Sequence, residues 1–516
     1  MAVSALAMAL FASPPAARPK ADATTLEGKV LIGYQGWFNC PGPGGGPWTH
    51  WSRGEPNPGS LSVDLYPDLS EFDPQDLCAA NGMTIGGRQA YLYSSYTPIV
   101  VNAHFRWMEE YGLDGVLVQR FLKEAGGKRN SGDVVLKNII AAAETYGRTF
   151  AIEYDITDSD DNNYAQVLKD DWIYLTDVLH VTSHPNYLHH NGKPVVSVWG
   201  PGLNDRIPTN PENFMAFIDW FRTGPEAYRA VYMGGTPSRW RTLNVDSRGG
   251  AGWENAYQDM GVIQPWTVDR YKDTTEVQIW DRDVLSGDIS RTHEIGNLYM
   301  PVVFPGFTCK NLGLCTANKD PRMGGQFFWS QAYGAKAAGA TMLKIAMFDE
   351  ADEGSAIFKV VSKRSQAPDQ GFWVALDADG FDLPSDWYLR LAGEITRMFH
   401  GERAVTKAMP LDPYHPKTGI RKPLADHGGV GGLGYRAVDG GIEFHATGES
   451  GTIRISSVSG KTIRTLAAGF ESTVWNLKDA AGASVEPGIY LAREIGIAIG
   501  NSGNSSGSAA CAIIVR

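Results

Sequence analysis

Lys29-Val30-Leu31-Ile32-Gly33-Tyr34-Gln35-Gly36-Trp37-Phe38 is the stretch whose reading decides the fold. Val30–Tyr34 is a short apolar run, the pattern of a buried strand. It is followed by Gln35-Gly36-Trp37. No Gly-x-Gly-x-x-Gly loop stands there, so the turn lacks the glycines that a dinucleotide pyrophosphate needs. Seven similar runs come later: Gly115–Gln119, Thr149–Tyr154, Val195–Trp199, Ala230–Met233, Val262–Gln264, Tyr299–Val303 and Met342–Phe348. Helical patterns separate them at Ile99–Tyr111, Val134–Tyr146, Tyr164–Leu179, Asn210–Phe221 and Ala332–Ala338, and Asp386–Phe399 ends the series. Eight strands alternating with helices predict an α/β chain closed into a (β/α)8 TIM barrel, with an open doubly wound sheet as the alternative.

The chain has 516 residues, more than one ordinary core needs. The barrel is expected over 24–401. Residues 402–437 carry Pro, Gly, His and Lys without periodicity and read as a linker. Over 438–516 the pattern changes to short alternating runs, Ile442–Ala446, Gly451–Ser456, Thr462–Leu466, Ser472–Trp475 and Ile489–Arg493. These predict a C-terminal all-β, immunoglobulin-like sandwich. Residues 1–23 combine an apolar run with Ala21-Asp22-Ala23, an A-x-A cleavage pattern, although no basic region precedes the run. They read as a signal peptide and predict a secreted or periplasmic protein. Cys40 and Cys78 could pair in that setting, as could Cys309 and Cys315; five free thiols are the alternative.

Composition narrows the partners. A net charge of −11 argues against nucleic acid, because nothing offsets a phosphate backbone. No apolar segment has the length of a membrane span, so no membrane insertion is expected. The cysteines have no zinc spacing, and neither metal nor cofactor is expected. Fifteen Trp and twenty-one Tyr stand partly in polar, Gly- and Pro-rich loops, where flat rings suit the C–H faces of a carbohydrate. The same residues equally serve as large core side chains.

A barrel displays its chemistry at the C-terminal ends of its strands. That rule selects Tyr34 and Trp37 after the first strand, with His50, Trp51 and Asp64 in the long loop beyond. It also selects Arg120, Asp155, Trp199, Gln264, Trp266 and Phe307, and the substrate-binding set is completed by Trp329. Asp155 is preferred to Glu153 on the expectation that one of the two points away from the site. The eighth run ends in Asp349-Glu350-Ala351-Asp352-Glu353, four acids in five residues. Their repulsion raises at least one pKa, and glycosidic cleavage needs two carboxyl groups in different protonation states. A turn between Glu350 and Glu353 could bring both carboxyls to one substrate atom, whereas a straight strand could not. A solvated acidic loop or a calcium site is the plainer reading.

Leu343-Lys344-Ile345-Ala346-Met347-Phe348-Asp349-Glu350-Ala351-Asp352-Glu353-Gly354 resembles the strand-eight motif of glycoside hydrolase family 99, the endo-α-mannosidases and endo-α-mannanases, whose core is Glu-Trp-His-Glu-Gly. The related family 71 α-1,3-glucanases are similar in outline. Gly33-Tyr34-Gln35-Gly36-Trp37, His50-Trp51 and Tyr111-Gly112-Leu113-Asp114-Gly115-Val116 extend the resemblance over roughly the first 400 residues. It implies a glycoside hydrolase. Glu350 would be the base that deprotonates a sugar 2-hydroxyl, and Glu353 the general acid, with net retention. Ala351-Asp352 replaces the Trp-His of the motif, so the reaction class carries over and the α-mannoside specificity does not. A catalytically inactive glycan-binding protein is the alternative. The run from Ile453 through Gly488-Ile489-Tyr490 resembles the FlgD-like immunoglobulin domains of secreted bacterial enzymes, implying a spacer or cell-surface association.

Overall fold

The computed structural model describes residues 19–125 and 129–414, and beyond them 434–438, 441–445, 451–457, 461–468, 473–485, 488–496 and 510–515. Ala16–Tyr414 is one compact unit, and His415–Arg516 belongs to another. In the first unit the parallel strands are β1 (Val30–Tyr34), β2 (Gly115–Phe121), β3 (Thr149–Asp155), β4 (Lys193–Trp199), β5 (Val231–Gly235), β6 (Val262–Ile263), β7 (Leu298–Tyr299), β8 (Val302–Val303) and β9 (Leu343–Ile345). Every residue of β1 and β3 is buried, as parallel strands covered by helices require.

The ring closes through a broken strand. β7 pairs with β6, and β8 pairs with β9, which pairs with β1. Pro301 lies between β7 and β8 and has no N–H to give to a ladder. The partner therefore changes there: Met300 N donates to Ile263 O at 2.9 Å, while Lys344 N donates to Pro301 O at 2.9 Å. The single strand expected over Tyr299–Val303 is thus two pieces in one barrel position. A (β/α)8 barrel is the fold.

The helices that cover β2 to β5 are Pro98–Tyr111, Arg129–Tyr146, Tyr164–Asp177 and Pro211–Thr223. Each stands within a few residues of its predicted span, because an apolar stripe must face the sheet. Ala251–Gln258 and the helical stretch from Thr274 to Ile295 were not foreseen, nor was the hairpin of Cys78–Ile85 and Arg88–Leu92. That hairpin lies in the loop after β1, where a Cys40–Cys78 disulfide ties it down. A second disulfide joins Cys309 and Cys315.

Two stretches stand differently from the boundaries read in the sequence. Residues 19–23, read as removable, pack on the barrel: Arg148 donates to Pro19 O, Ala21 N to Gly147 O and His189 N to Ala23 O. Residues 1–18 lie outside the described residues. Residues 402–414, read as linker, belong to the barrel unit, with Arg403 on Glu394 at 2.6 Å and Trp329 donating to Thr406 O. Residues 415–433 of that linker lie outside the described residues. In the second unit the described strands form two antiparallel sheets. One holds Gly434–Val438, Gly441–His445 and Thr473–Trp475; the other holds Gly451–Ser457, Thr462–Ala468, Gly488–Gly496 and Ala510–Val515.

Candidate active site

β9 is only three residues long because the chain turns back on itself after Ile345. Phe348 N donates to Gly33 O at 2.7 Å, and Met347 N, Ala356 N and Phe358 N donate to Ser355 O, Glu350 O and Phe348 O. Residues 351–354 form the tip. Gly354 completes it at φ +64°, against the backbone of Thr308, where a Cβ would stand 2.9 Å from Thr308 N. Asp349 fastens this return to the end of β1 by accepting from Gln35 N at 2.7 Å and Gly36 N at 2.8 Å. The turn that the acidic cluster required is present, and Glu350 and Glu353 both line one cleft.

That cleft encloses about 690 Å³, within the range of small-molecule sites. Trp37, His50, Phe121, Glu153, Asp155, Trp199, Arg206, Trp266, Asp269 and Phe307 also line it. Nine of its carboxylates face three cations, Lys123, Arg206 and Arg270. Each cation is already paired, with Asp158, Asp205 and Asp246 respectively. An anionic ligand would meet repulsion there; a neutral one would not.

Glu350 is buried. Its two oxygens accept from Gln35 Nε2 and Ser355 Oγ, each at 2.7 Å. Burial pushes its pKa well above the usual carboxylate range, and the charges of Glu353 and Asp352 push further the same way. Burial, followed by Asp352 and Asp269, raises Glu353 to about 7. Two carboxyls that repel each other in a desolvated site keep one proton between them near neutral pH. One is then an acid and the other a base. Asp349 is raised to about 7 by burial, against the two backbone N–H groups that favour its charge.

Against Glu153 of the cleft lies a buried cation that sequence reading left without a role. Lys344 is fully buried, with Nζ 2.5 Å from Glu153 Oε1 and 3.1 Å from Gln264 Oε1, and it lies 5.3 Å from the Trp266 ring. Ser197 Oγ donates to the other oxygen of Glu153 at 2.7 Å. Glu153 and Asp155 both line the cleft, which corrects the expectation that one points away: residues two apart on a strand share a face. Tyr154 between them turns outward, to Asp171.

Of the residues assigned to substrate from sequence, Trp37, His50, Asp155, Trp199, Trp266 and Phe307 line the cleft. The other six stand elsewhere. Tyr34 is in the core, its hydroxyl 2.9 Å from His104 Nδ1. Trp51 packs on Phe38 and Tyr93, and Trp329 is buried under the 402–414 segment. Asp64 is a buried clamp that accepts from Thr308 Oγ1, Lys310 N and Asn311 N. Arg120 points between helices and grips Asp171 and Asp133. Gln264 lies below the cleft on Lys344, Met233 and Met300.

Among the described residues Trp37 Nε1, Trp199 Nε1 and Asp352 Oδ1 are buried without a hydrogen-bond partner. Each is a polar group open to a water or a bound ligand. No group of three or more His, Cys, Asp or Glu side chains among the described residues has the geometry to hold a metal. No described helix is long and apolar enough to cross a membrane.

Fold and cleft together define a (β/α)8 barrel with a carboxylate-lined, aromatic-walled cleft at the C-terminal ends of its strands. No protein-family model and no curated protein sequence matches the chain. Solved structures do. A GH99 endo-alpha-mannosidase from Bacteroides thetaiotaomicron, in complex with bis-tris propane, matches with a TM-score of 0.54 at 18% identity, over 74% of this chain and all of that one. A second structure of a GH99 endo-alpha-mannosidase from Bacteroides thetaiotaomicron matches with a TM-score of 0.54 at 16% identity, again over 74% of this chain and all of that one. At this identity the likeness is one of fold.

Proposed function

We propose that the chain is a secreted glycoside hydrolase that cleaves a neutral, α-linked poly- or oligosaccharide with retention, through Glu350 and Glu353. The observation that carries the reading is the pairing of these two carboxyls on one turn in the cleft. Glu350 takes the proton of the sugar 2-hydroxyl while that oxygen attacks the anomeric carbon. Glu353 gives its proton to the leaving glycosidic oxygen, and a 1,2-anhydro sugar results. Glu353 then takes a proton from water as the water opens the epoxide, and Glu350 returns its proton to O2. Two displacements at one carbon restore its configuration.

The match to an endo-alpha-mannosidase fold supports the class, and the cleft charge supports a neutral sugar. Trp37, His50, Asp155, Trp199, Trp266 and Phe307 are the proposed sugar contacts. Export is supported by the two disulfides, which persist in oxidising compartments. For the second unit, the antiparallel sheets support an immunoglobulin-like spacer, and cell-surface association is the role proposed for it.

The test is hydrolysis of an α-linked glycan panel by the native chain and by Glu350→Gln and Glu353→Gln. Each variant is expected to lose about 10²–10⁴ in kcat, the usual worth of a positioned acid or base. Glu353→Gln should recover on a glycosyl fluoride, whose leaving group needs no proton, and Glu350→Gln should not. Full cleavage by both variants refutes the roles. Binding by the native chain without any cleavage favours a glycan-binding protein instead.

A further inference from the structure

His50 is held in its place from three directions. Its backbone is left-handed at φ +60°, a conformation uncommon for a residue with a Cβ. Its ring lies flat on Trp37, centroids 3.8 Å apart and planes within 8°. Its Nδ1 stands 3.5 Å from Asp352 Oδ2, while the Asp352 side chain is almost wholly buried and its Oδ1 has no partner among the described residues. The loop that carries His50 is tied by the Cys40–Cys78 disulfide. His50 itself lines the cleft beside Glu350 and Glu353.

A carboxylate in such a place is costly unless it orients something. Facing Nδ1, it favours the tautomer with the proton on that nitrogen, which leaves Nε2 as the acceptor available to the cleft. We propose that Asp352 and His50 form a positioning pair that fixes the sugar beside the two glutamates, with His50 Nε2 accepting a hydrogen bond from a ring hydroxyl and Asp352 setting the tautomer. Asp352 is thereby a positioning residue, acting through His50. The pair rests on the saccharide reading of the cleft and deepens it: it selects a sugar that presents a free hydroxyl at that edge, and discriminates against the deoxy or methylated one. Such a site rejects an analogue lacking the hydroxyl strongly, because its own polar group is left unpaired.

Asp352→Asn keeps the shape and removes the acceptor-only carboxylate; its amide can donate to Nδ1 and so reverse the tautomer. Ring nitrogen shifts of His50 in histidine-labelled full-length protein read the tautomer without any ligand. The expected spectrum has the proton on Nδ1 in the native chain and on Nε2 in Asp352→Asn. The second measurement is steady-state kinetics on α-mannobiose and α-1,3-glucobiose. His50→Ala and Asp352→Asn are expected to raise KM about tenfold each, and the double variant should do no worse than either alone. His50→Gln, which keeps an acceptor, should recover part of the loss. An Nε2–H native tautomer, a tautomer unmoved by Asp352→Asn, or additive losses in the double variant would overturn the pair. If the native chain neither binds nor cleaves a saccharide, the saccharide reading fails, while the tautomer still answers whether Asp352 sets His50.

Discussion

Replacing Arg120 by methionine separates a structural cation from a substrate contact. Arg120 is on β2, 7% exposed, and donates through Nε and Nη2 to the fully buried Asp171 at 2.5 and 2.7 Å and through Nη1 to Asp133 at 3.0 Å. Asp171 comes from Tyr164–Asp177 and Asp133 from Arg129–Tyr146, so one guanidinium joins two helices to the sheet. The cavity beside it, about 60 Å³, is too small for a sugar ring. Removing one partner of a buried ion pair leaves uncompensated charge and costs about 3–5 kcal/mol. Tyr154 and Tyr174 still donate to the two aspartates, which places the expected loss at the lower end, about 3 kcal/mol. For a unit this large that is a fall in Tm of roughly 5 °C. Calorimetry at pH 7 measures it, and KM on a cleaved glycan should stay within twofold. An unchanged Tm with a tenfold rise in KM would place Arg120 in the substrate path and refute the argument.

Three further outcomes follow from the same geometry. Glu353, raised to about 7, must hold its proton to act as an acid, and Glu350, pushed well above the usual carboxylate range, must lose its own to act as a base, so kcat/KM should pass through a maximum with pH; a flat profile from pH 6 to 9 would remove the pair from those roles. Asp320 is buried, with Oδ2 unpartnered among the described residues, and burial raises it to about 7. Its folded pKa exceeds its unfolded value near 4, so between those values the native state holds the extra proton and stability declines as pH rises. Asp320→Asn should flatten that decline in urea midpoints measured at pH 5 and pH 8, and an unaltered slope would assign the effect elsewhere. Replacing Cys40 and Cys78 by serine frees a loop of 38 residues and should cost about 4 kcal/mol by loop-closure entropy, seen as a lower urea midpoint; no change would mean that packing alone holds the hairpin.

The barrel was legible because its signal is local. Val30–Tyr34 or Thr149–Asp155 must be continuously apolar to lie between helices, and neighbouring positions announce it. The break at Pro301 was signalled by a residue that cannot donate, yet only the ring shows that both halves keep a neighbour. Side-chain destinations were harder to read. Tyr34 and Trp37 stand three apart at one strand end, and the first is core while the second walls the cleft, because the chain turns at Gly36 with φ +62°. Asp64 meets Thr308 and Arg120 meets Asp171, partners 244 and 51 residues distant that no short window contains.

Glu350 and Glu353 escaped this difficulty because like charges crowded into five residues are a local cost with few structural uses. The position between them was read as a deficit, since Ala351-Asp352 lacks the aromatic and imidazole of the family motif. The fold gives that substitution a context: Asp352 faces His50, an imidazole from the far-off loop after β1, and His50 lies on Trp37. Asp352 thus takes its neighbours from a distant segment, a ring and an imidazole that no reading of the acidic stretch alone could supply.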